Sequence, residues 1–416
     1  MSAGAAPGLA DLTSLSDPRV IADPYPLYAR IREASPLTEL DGALLVFARY
    51  ADCSRILRDP RASSERDNSA LAPQRPDRDR RARSFLSLDP PDHTRLRRLV
   101  SKAFTARVVA TLAPRITELT HELLTDAAAS GRDEIELVSQ LAYPLPVRII
   151  SELLGVPPQD QARFAGWSAR LAHSVQPSFG PPDPAEVAAA DRAAAEFRDY
   201  FTELIAARRS SPGADLLTEL IRAEDEGERL TIGELIATCV LLLVAGHETT
   251  VGLISNAMLA LLRHPEQLAA FAADPSLAGA VVEETLRYDS PVQLTGRVAT
   301  RGLTLDGATC PDGAILLLLL AATGRDERAF ARPDDFDIRR GAAEHLAFAA
   351  GPHFCLGAPL ARLEAAIALR AIVTRLTGPQ LDEAGLTYKP NFNLRGPERL
   401  IIRFDSIGAP RPGPGR

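Results

Sequence analysis

Lysine is almost missing from this chain. Of its 47 basic residues only Lys102 and Lys389 are lysine, and the remaining positive charge is arginine. The bias runs through the whole sequence, so no single arginine marks a site by itself. Cysteine is also scarce: Cys53, Cys239, Cys310 and Cys355 are far apart, and none belongs to a C-x-x-C pair. That argues against a disulfide framework and against a cysteine-rich zinc site. The longest apolar runs, LIATCVLLLVA at 235–245 and AILLLLLAA at 314–322, are shorter than the roughly 20 residues a bilayer span needs. The first residues lack the basic and apolar regions of a secretory signal. A net charge of −7 offers no basic field for nucleic acid. These absences imply a cytoplasmic protein with no nucleic-acid or membrane partner.

What is present is enough for a large core. The 416 residues are 46% hydrophobic and 24% charged, the balance of a globular chain. Residues 1–20 and 406–416 are expected to be disordered ends. Residues 21–405 hold no low-complexity linker or repeat and are expected to form one domain. Most segments carry helical periodicity, among them 106–129 and 184–209. Strand signals are few and short, at 43–48, 295–307 and 399–404. The fold class is mainly α with a small β portion.

One expected helix is unusually long. Thr231 and Glu234 form a T-x-x-E capping box, and the apolar pattern continues to His264-Pro265. About 33 residues at the α-helical rise give about 50 Å, enough to cross the domain. Halfway along lies AGHETT, 245–250, whose polar groups in an apolar run need a reason. A zincin reading of His247-Glu248 fails, because the second histidine of that motif is absent. Thr249 and Thr250 could bond back to the preceding turn and only bend the helix. Alternatively, Thr249 on the Ala245 carbonyl would widen the helix into a bulge of the kind frequent at functional sites.

Three further fragments carry chemistry. Glu284 and Arg287 are i,i+3 and can pair, and taken alone would be a surface pair of little worth. His93 and Arg97 are i,i+4 on one helix face, suited to a carboxylate or phosphate or simply part of a basic stripe. Cys355, in GPHFCLGAPLAR at 351–362, has three readings. It is an inert buried thiol, a zinc ligand with His345 and His353, or a thiolate ligand to haem iron. In the third, Gly351 and Gly357 would let backbone approach a porphyrin, and the helix N-terminus would lower the thiol pKa.

Together these fragments resemble the cytochrome P450 family, in its soluble bacterial branch, over nearly the whole chain. The family's F-G-x-G-x-H/R-x-C-x-G stands as Phe348-Ala-Ala-Gly351-Pro-His353-Phe-Cys355-Leu-Gly357. Its A-G-x-D/E-T stands as Ala245-Gly246-His247-Glu248-Thr249, its E-x-x-R as Glu284 to Arg287, and its P-x-x-F as Pro333 to Phe336. Two departures occur: Ala349 replaces the usual first glycine, and Gly324 and Glu327 stand where N-R-D-P is usual.

The resemblance implies a single-domain cytochrome P450 fold, with haem b between the long central helix and the cysteine loop and O2 as co-substrate. Cys355 would be the iron ligand and the one metal-binding residue. His93, Arg97, Arg297 and His353 would hold the haem propionates. Glu284 and Arg287 would pair inside the fold as a structural element. Thr249 and Glu248 would be catalytic, relaying protons beside bound O2. The substrate pocket would draw on the loops 63–88 and 173–180, on Leu241, Leu242 and Ala245, and on Val292, Leu294, Phe392 and Leu394. These residues are mostly aliphatic, so the substrate would be largely apolar. A polyketide or macrolide-type metabolite is preferred for hydroxylation or epoxidation, because similar relatives tailor such molecules. Fatty acids, terpenoids and steroids stay open, as do ring formation and coupling, and a non-catalytic haem-binding protein is the distant alternative. No flavin or iron–sulfur segment is present, so electrons would come from a separate ferredoxin and its reductase, docking near Arg98, Lys102 and Arg362. A monomer is expected.

Overall fold

The computed structural model describes residues 7–71, 83–174, 183–225, 230–305, 308–341 and 344–409. The central helix is Ile232–Arg263, 32 residues, about 48 Å at 1.5 Å per residue. Its N-terminus is built as the sequence implies: the Thr231 hydroxyl accepts from the Glu234 N–H at 3.3 Å, and the Glu234 carboxylate accepts from the Thr231 N–H at 2.9 Å. Pro265 begins the next helix, Pro265–Ala273. The central helix packs against the helices Pro144–Leu153, Pro184–Ser210, Ala278–Tyr288 and Ala358–Arg375. It is long and apolar enough to cross a membrane, but half of its most apolar window is buried in this bundle.

The β portion flanks the bundle. A five-stranded sheet runs in the order Leu37–Glu39, Leu44–Phe47, Ile315–Leu318, Thr295–Ala299, Ala62–Ser63. Leu44–Phe47 pairs in parallel with Ile315–Leu318, and the other pairings are antiparallel. The apolar run 314–322 is thus a strand followed by the short helix Leu320–Thr323. Burial on both faces removes the alternation that announces a strand. The strands expected at 43–48, 295–299 and 399–404 are present, the last as Ile401–Arg403. The 304–307 expectation is met by Thr304–Leu305, and residues 306–307 lie outside the described residues.

Three boundary expectations need correction. The segment 1–20 is not a disordered end from Gly8 onward: it forms the helices Leu9–Thr13 and Pro18–Ala22, with Leu12 and Leu15 buried in a satellite core around Tyr28 and Val46. Asp17, bonded to the Arg19 N–H at 2.8 Å, caps the second helix. These helices are too short for periodicity to show, and tertiary burial orders them. Residues 406–407 are also ordered, as Ser406–Ile407 pairs with Leu376–Thr377, while 410–416 lie outside the described residues. The 106–129 helix is two, Ala106–Ala110 and Ala113–Ala129, divided ahead of Pro114.

The Glu284–Arg287 pair lies deep inside the fold, unlike the surface pair its spacing alone suggested. Arg287 is fully buried and grips the Glu284 carboxylate through Nε at 2.8 Å and Nη2 at 2.7 Å. Its remaining donors reach the carbonyls of Gly324, Pro333 and Asp335 at 2.6, 2.6 and 2.8 Å. Arg340 Nε adds 3.1 Å contacts to both Glu284 oxygens. Every lone pair and N–H is used, which a buried pair requires. The departure at Gly324 is explained here: in this backbone a Cβ would come within 2.0 Å of the Arg287 carbonyl oxygen.

Candidate active site

The cysteine loop is a tight, self-bonded turn. The Cys355 N–H donates to Phe348 O at 2.9 Å, and the Phe354 N–H to Gly351 O at 3.0 Å. Gly351 has φ +69 and packs on the helix Tyr50–Arg58, where an added Cβ would stand 2.3 Å from the Leu57 carbonyl. That helix and the positive φ together demand a glycine here. Gly357 faces open space and carries no such demand. Ala349, the departure from the family glycine, has φ +57, a left-handed conformation that costs a non-glycine residue about 1–2 kcal/mol.

Cys355 stands just before the helix Ala358–Arg375. Burial pushes its thiol up, and the Gly357 N–H, the Arg97 guanidinium and the Ala358 N–H pull in the other direction without overcoming it. The helix terminus thus favours the thiolate, as expected, yet burial leaves the thiol raised. The zinc reading finds no support, since His345 bonds Glu283 at 3.2 Å and the described residues contain no metal-ligating group of three.

Beside this loop the four expected propionate donors come together. The His93 and His353 rings lie 4.2 Å apart. Both His93 ring nitrogens are buried without a hydrogen-bond partner. Burial holds the His93 imidazole below its ordinary pKa, with Arg97 and Arg297 adding to the effect. His353 is driven down to about 3 by burial, then by Arg297, His93 and Arg97. Burial also brings Arg297 down to about 10. Arg297 Nη1 reaches only Gly296 O at 2.8 Å and Thr295 Oγ1 at 3.3 Å, while Arg97 bonds the Phe354 carbonyl. Leaving the two His93 nitrogens buried without a partner is costly, and the neighbouring arginines, which only Asp89 offsets, suit an added anion. A haem with two carboxylates and an iron for Cys355 fits this donor set.

On the other side, the central helix presents its polar turn. The Thr249 hydroxyl donates to Ala245 O at 3.0 Å, and Thr250 Oγ1 to Gly246 O at 3.4 Å. The helix stays α-helical throughout, so the expected bulge is absent. Leu241, Ala245 and Thr249, spaced i,i+4, form a partly or fully exposed stripe, flanked by the partly exposed Val240, Val244 and Gly246. Leu242 is off that stripe, buried in the main core. Glu248 is nearly buried, with Lys389 Nζ at 2.7 Å and His247 Nε2 at 3.6 Å. Burial opposes its ionisation, but the imidazole and the ammonium outweigh burial and hold the carboxyl at about 2. At 3.6 Å the imidazole is beyond hydrogen-bond length, so Lys389 is the bonded partner. Lys389 lies 141 residues away in sequence, and the one hint of it was its being a lysine among arginines.

The remaining pocket expectations divide by alternation. Val292 and Leu394 bridge one another and are partly exposed, whereas Leu294 and Phe392 point into the satellite core. These two are core residues. Residues 72–82 and 175–180 of the expected pocket loops lie outside the described residues. Arg362, expected on the docking face, is tied to Glu283 at 2.6 and 3.0 Å and stacks on Phe348. A surface cleft of about 680 Å³, lined by Leu99, Arg115, Ile149, Glu152 and Leu220 among others, contains none of the site residues.

Comparison with known proteins agrees with this geometry. The family described as Cytochrome P450 matches residues 42–274 and 276–382. The chain is 44% identical over 409 residues to cytochrome P450 monooxygenase PikC of Streptomyces venezuelae, covering 96% of this chain and 95% of that one. It is 42% identical over 400 residues to cytochrome P450 107B1 of Saccharopolyspora erythraea, covering 92% and 95%. The ligand-free crystal structure of Mycobacterium smegmatis CYP164A2 superimposes with a TM-score of 0.89 at 48% identity, covering 95% of this chain and all of that one. The chain belongs to the cytochrome P450 family, and its activity is that of a monooxygenase using haem iron and O2.

Proposed function

We propose that this monooxygenase hydroxylates or epoxidises a largely apolar metabolite of polyketide or macrolide type. The observation that carries the reading is the cluster beside Cys355, where both His93 ring nitrogens are buried without a partner next to His353, Arg97 and Arg297. Cys355 would ligate the iron of haem b, and His93, Arg97, Arg297 and His353 would take its propionates. When bound, a thiolate-ligated haem supplies the activation of O2. The chain's own part is to bring protons to that side while keeping bulk water out. The Thr249 hydroxyl would accept from a water molecule while donating to Ala245 O, with Glu248 as the carboxylate of the relay. Leu241, Ala245, Val292 and Leu394 offer aliphatic surface and no charge, which suits an apolar substrate. Glu284 and Arg287 serve the fold. Electrons come from a separate ferredoxin and reductase, the enzyme works as a cytoplasmic monomer, and Arg98 and Lys102, both exposed, are the free cations offered to an acidic partner.

The test is Thr249→Ala in purified holoenzyme, supplied with ferredoxin, reductase and a panel of macrolactones, fatty acids and steroids. Haem content stays unchanged while product formed per electron pair falls by about 100-fold, the lower end of what a positioned proton-transfer group contributes. Unaltered coupling would remove Thr249 from the relay. Turnover confined to fatty acids or steroids would overturn the substrate class.

A further inference from the structure

The carboxylate behind Thr249 is not free. Glu248 Oε2 lies 2.7 Å from Lys389 Nζ, and its Oε1 faces His247 Nε2 at 3.6 Å. His247 is itself fixed, its Nδ1 2.7 Å from Leu243 O. From a third element comes Tyr143, whose ring stands edge-on to His247 at 5.6 Å and whose buried hydroxyl has no partner. These three groups, His247 from the same helix, Lys389 from the segment after Thr387–Tyr388, and Tyr143, are the titratable and charged groups set against Glu248.

A proton donor works best with a pKa near the operating pH. A carboxylate held by an ammonium is permanently ionised and can pass a proton on but not store one. In a chain whose positive charge is nearly all arginine, this position is one of two lysines. The segment that carries it also carries Leu394, bridged to Val292. Lys389 and the aliphatic wall therefore share one turn, anchored by Arg395 on Asp289 and on Ile21 O at 2.7 Å.

We propose that Lys389 is a positioning residue for the proton supply of this site, holding Glu248 as a fixed anion so that protons cross toward Thr249 only by way of that pair. The proposal rests on the monooxygenase reading. With Lys389 removed, Glu248 is a buried carboxylate with no bonded cation. Burial then favours its neutral form, and the carboxyl takes up its proton at a higher pH, with only His247 left to oppose this.

The experiment compares Lys389→Met and Lys389→Arg with the unmodified holoenzyme. The first readout needs no turnover: carboxyl infrared difference titration of the chain with and without haem, with Glu248→Gln identifying the band. The unmodified chain keeps Glu248 ionised down to the acid limit. Lys389→Met protonates it at least two pH units higher, a shift of 100-fold or more in the proton equilibrium, and Lys389→Arg restores ionisation. The second readout is kcat and product per electron pair against pH. Lys389→Met moves the profile and enlarges the solvent isotope effect while KM stays within about twofold, and Lys389→Arg returns the profile. An unmoved band and an unmoved profile in Lys389→Met overturn the proposal. If Met at this position prevents folding, Lys389→Gln provides the same comparison. Should the unmodified protein lack a thiolate-haem spectrum, the monooxygenase reading fails, and the infrared titration still decides whether Lys389 governs Glu248.

Discussion

Two buried charge clusters in this molecule look alike in composition and differ in what they lack. Around Glu284, the guanidinium groups of Arg287 and Arg340 meet one carboxylate and a ring of carbonyls, and every donor has an acceptor. Around His93, two arginines and two histidines crowd together with orphaned ring nitrogens and depressed pKa values. The first cluster is complete within the chain. The second leaves the His93 ring nitrogens without a partner, the feature on which the proposed haem site rests.

Breaking the first cluster should cost the most. Arg287→Ala leaves Glu284 buried with Arg340 alone and strips three carbonyls of their donor. The expected loss is about 3–5 kcal/mol, seen as a lower urea midpoint at unchanged slope and as poor recovery of folded protein. The corresponding change in the second cluster should behave oppositely. Arg297→Leu removes a buried cation with no carboxylate partner, so the haem-free chain should unfold at the same urea concentration or a higher one. Haem affinity, followed by transfer to apomyoglobin, should fall about 10- to 100-fold, the worth of one charge-assisted hydrogen bond. If Arg297→Leu destabilises the haem-free chain as Arg287→Ala does, the contrast collapses.

A third buried group sharpens the comparison. Glu364, on the helix after Cys355, is nearly fully buried with one oxygen unpartnered, and burial pushes its carboxyl up to about 8. Its pKa is raised on folding, so it contributes stability below about pH 4 that is lost as pH rises toward 8, because only the unfolded chain then releases the proton. Glu364→Gln should stabilise the protein by about 1–2 kcal/mol at pH 8 and hardly at all at pH 4, measured by urea unfolding at both. An equal gain at both pH values would mean that folding does not raise the pKa of this carboxyl. The smallest effect belongs to Ala349→Gly. Relief of the left-handed alanine, offset by glycine's greater freedom when unfolded, should add about 0.5–1 kcal/mol. Any destabilisation there would contradict the strain.

What could be read beforehand followed sequence distance. The central helix was legible because its capping box and its stop are local signals, and Cys355, Glu284–Arg287 and Thr249–Ala245 because their spacings are. Arg340 on Glu284 and Lys389 on Glu248 were not, since those partners are 56 and 141 residues apart and nothing local records the pairing. Leu294 and Phe392 were misassigned to the pocket for a related reason. Apolar residues at a site and in a core are the same residues, and only the alternation fixed by the Val292–Leu394 bridge tells them apart. The helices Leu9–Thr13 and Pro18–Ala22 were missed because turns that short are ordered by burial of Leu12 and Leu15, not by their own pattern.

The measurement that bears most directly on the site is the visible spectrum of the purified protein, reduced and exposed to carbon monoxide, beside that of Cys355→Ala. A strongly red-shifted Soret band in the unmodified protein, absent from Cys355→Ala at matched haem content, is the predicted result. A band unmoved by the substitution, or one typical of histidine ligation in both proteins, would contradict the assignment of Cys355 and the account built on it.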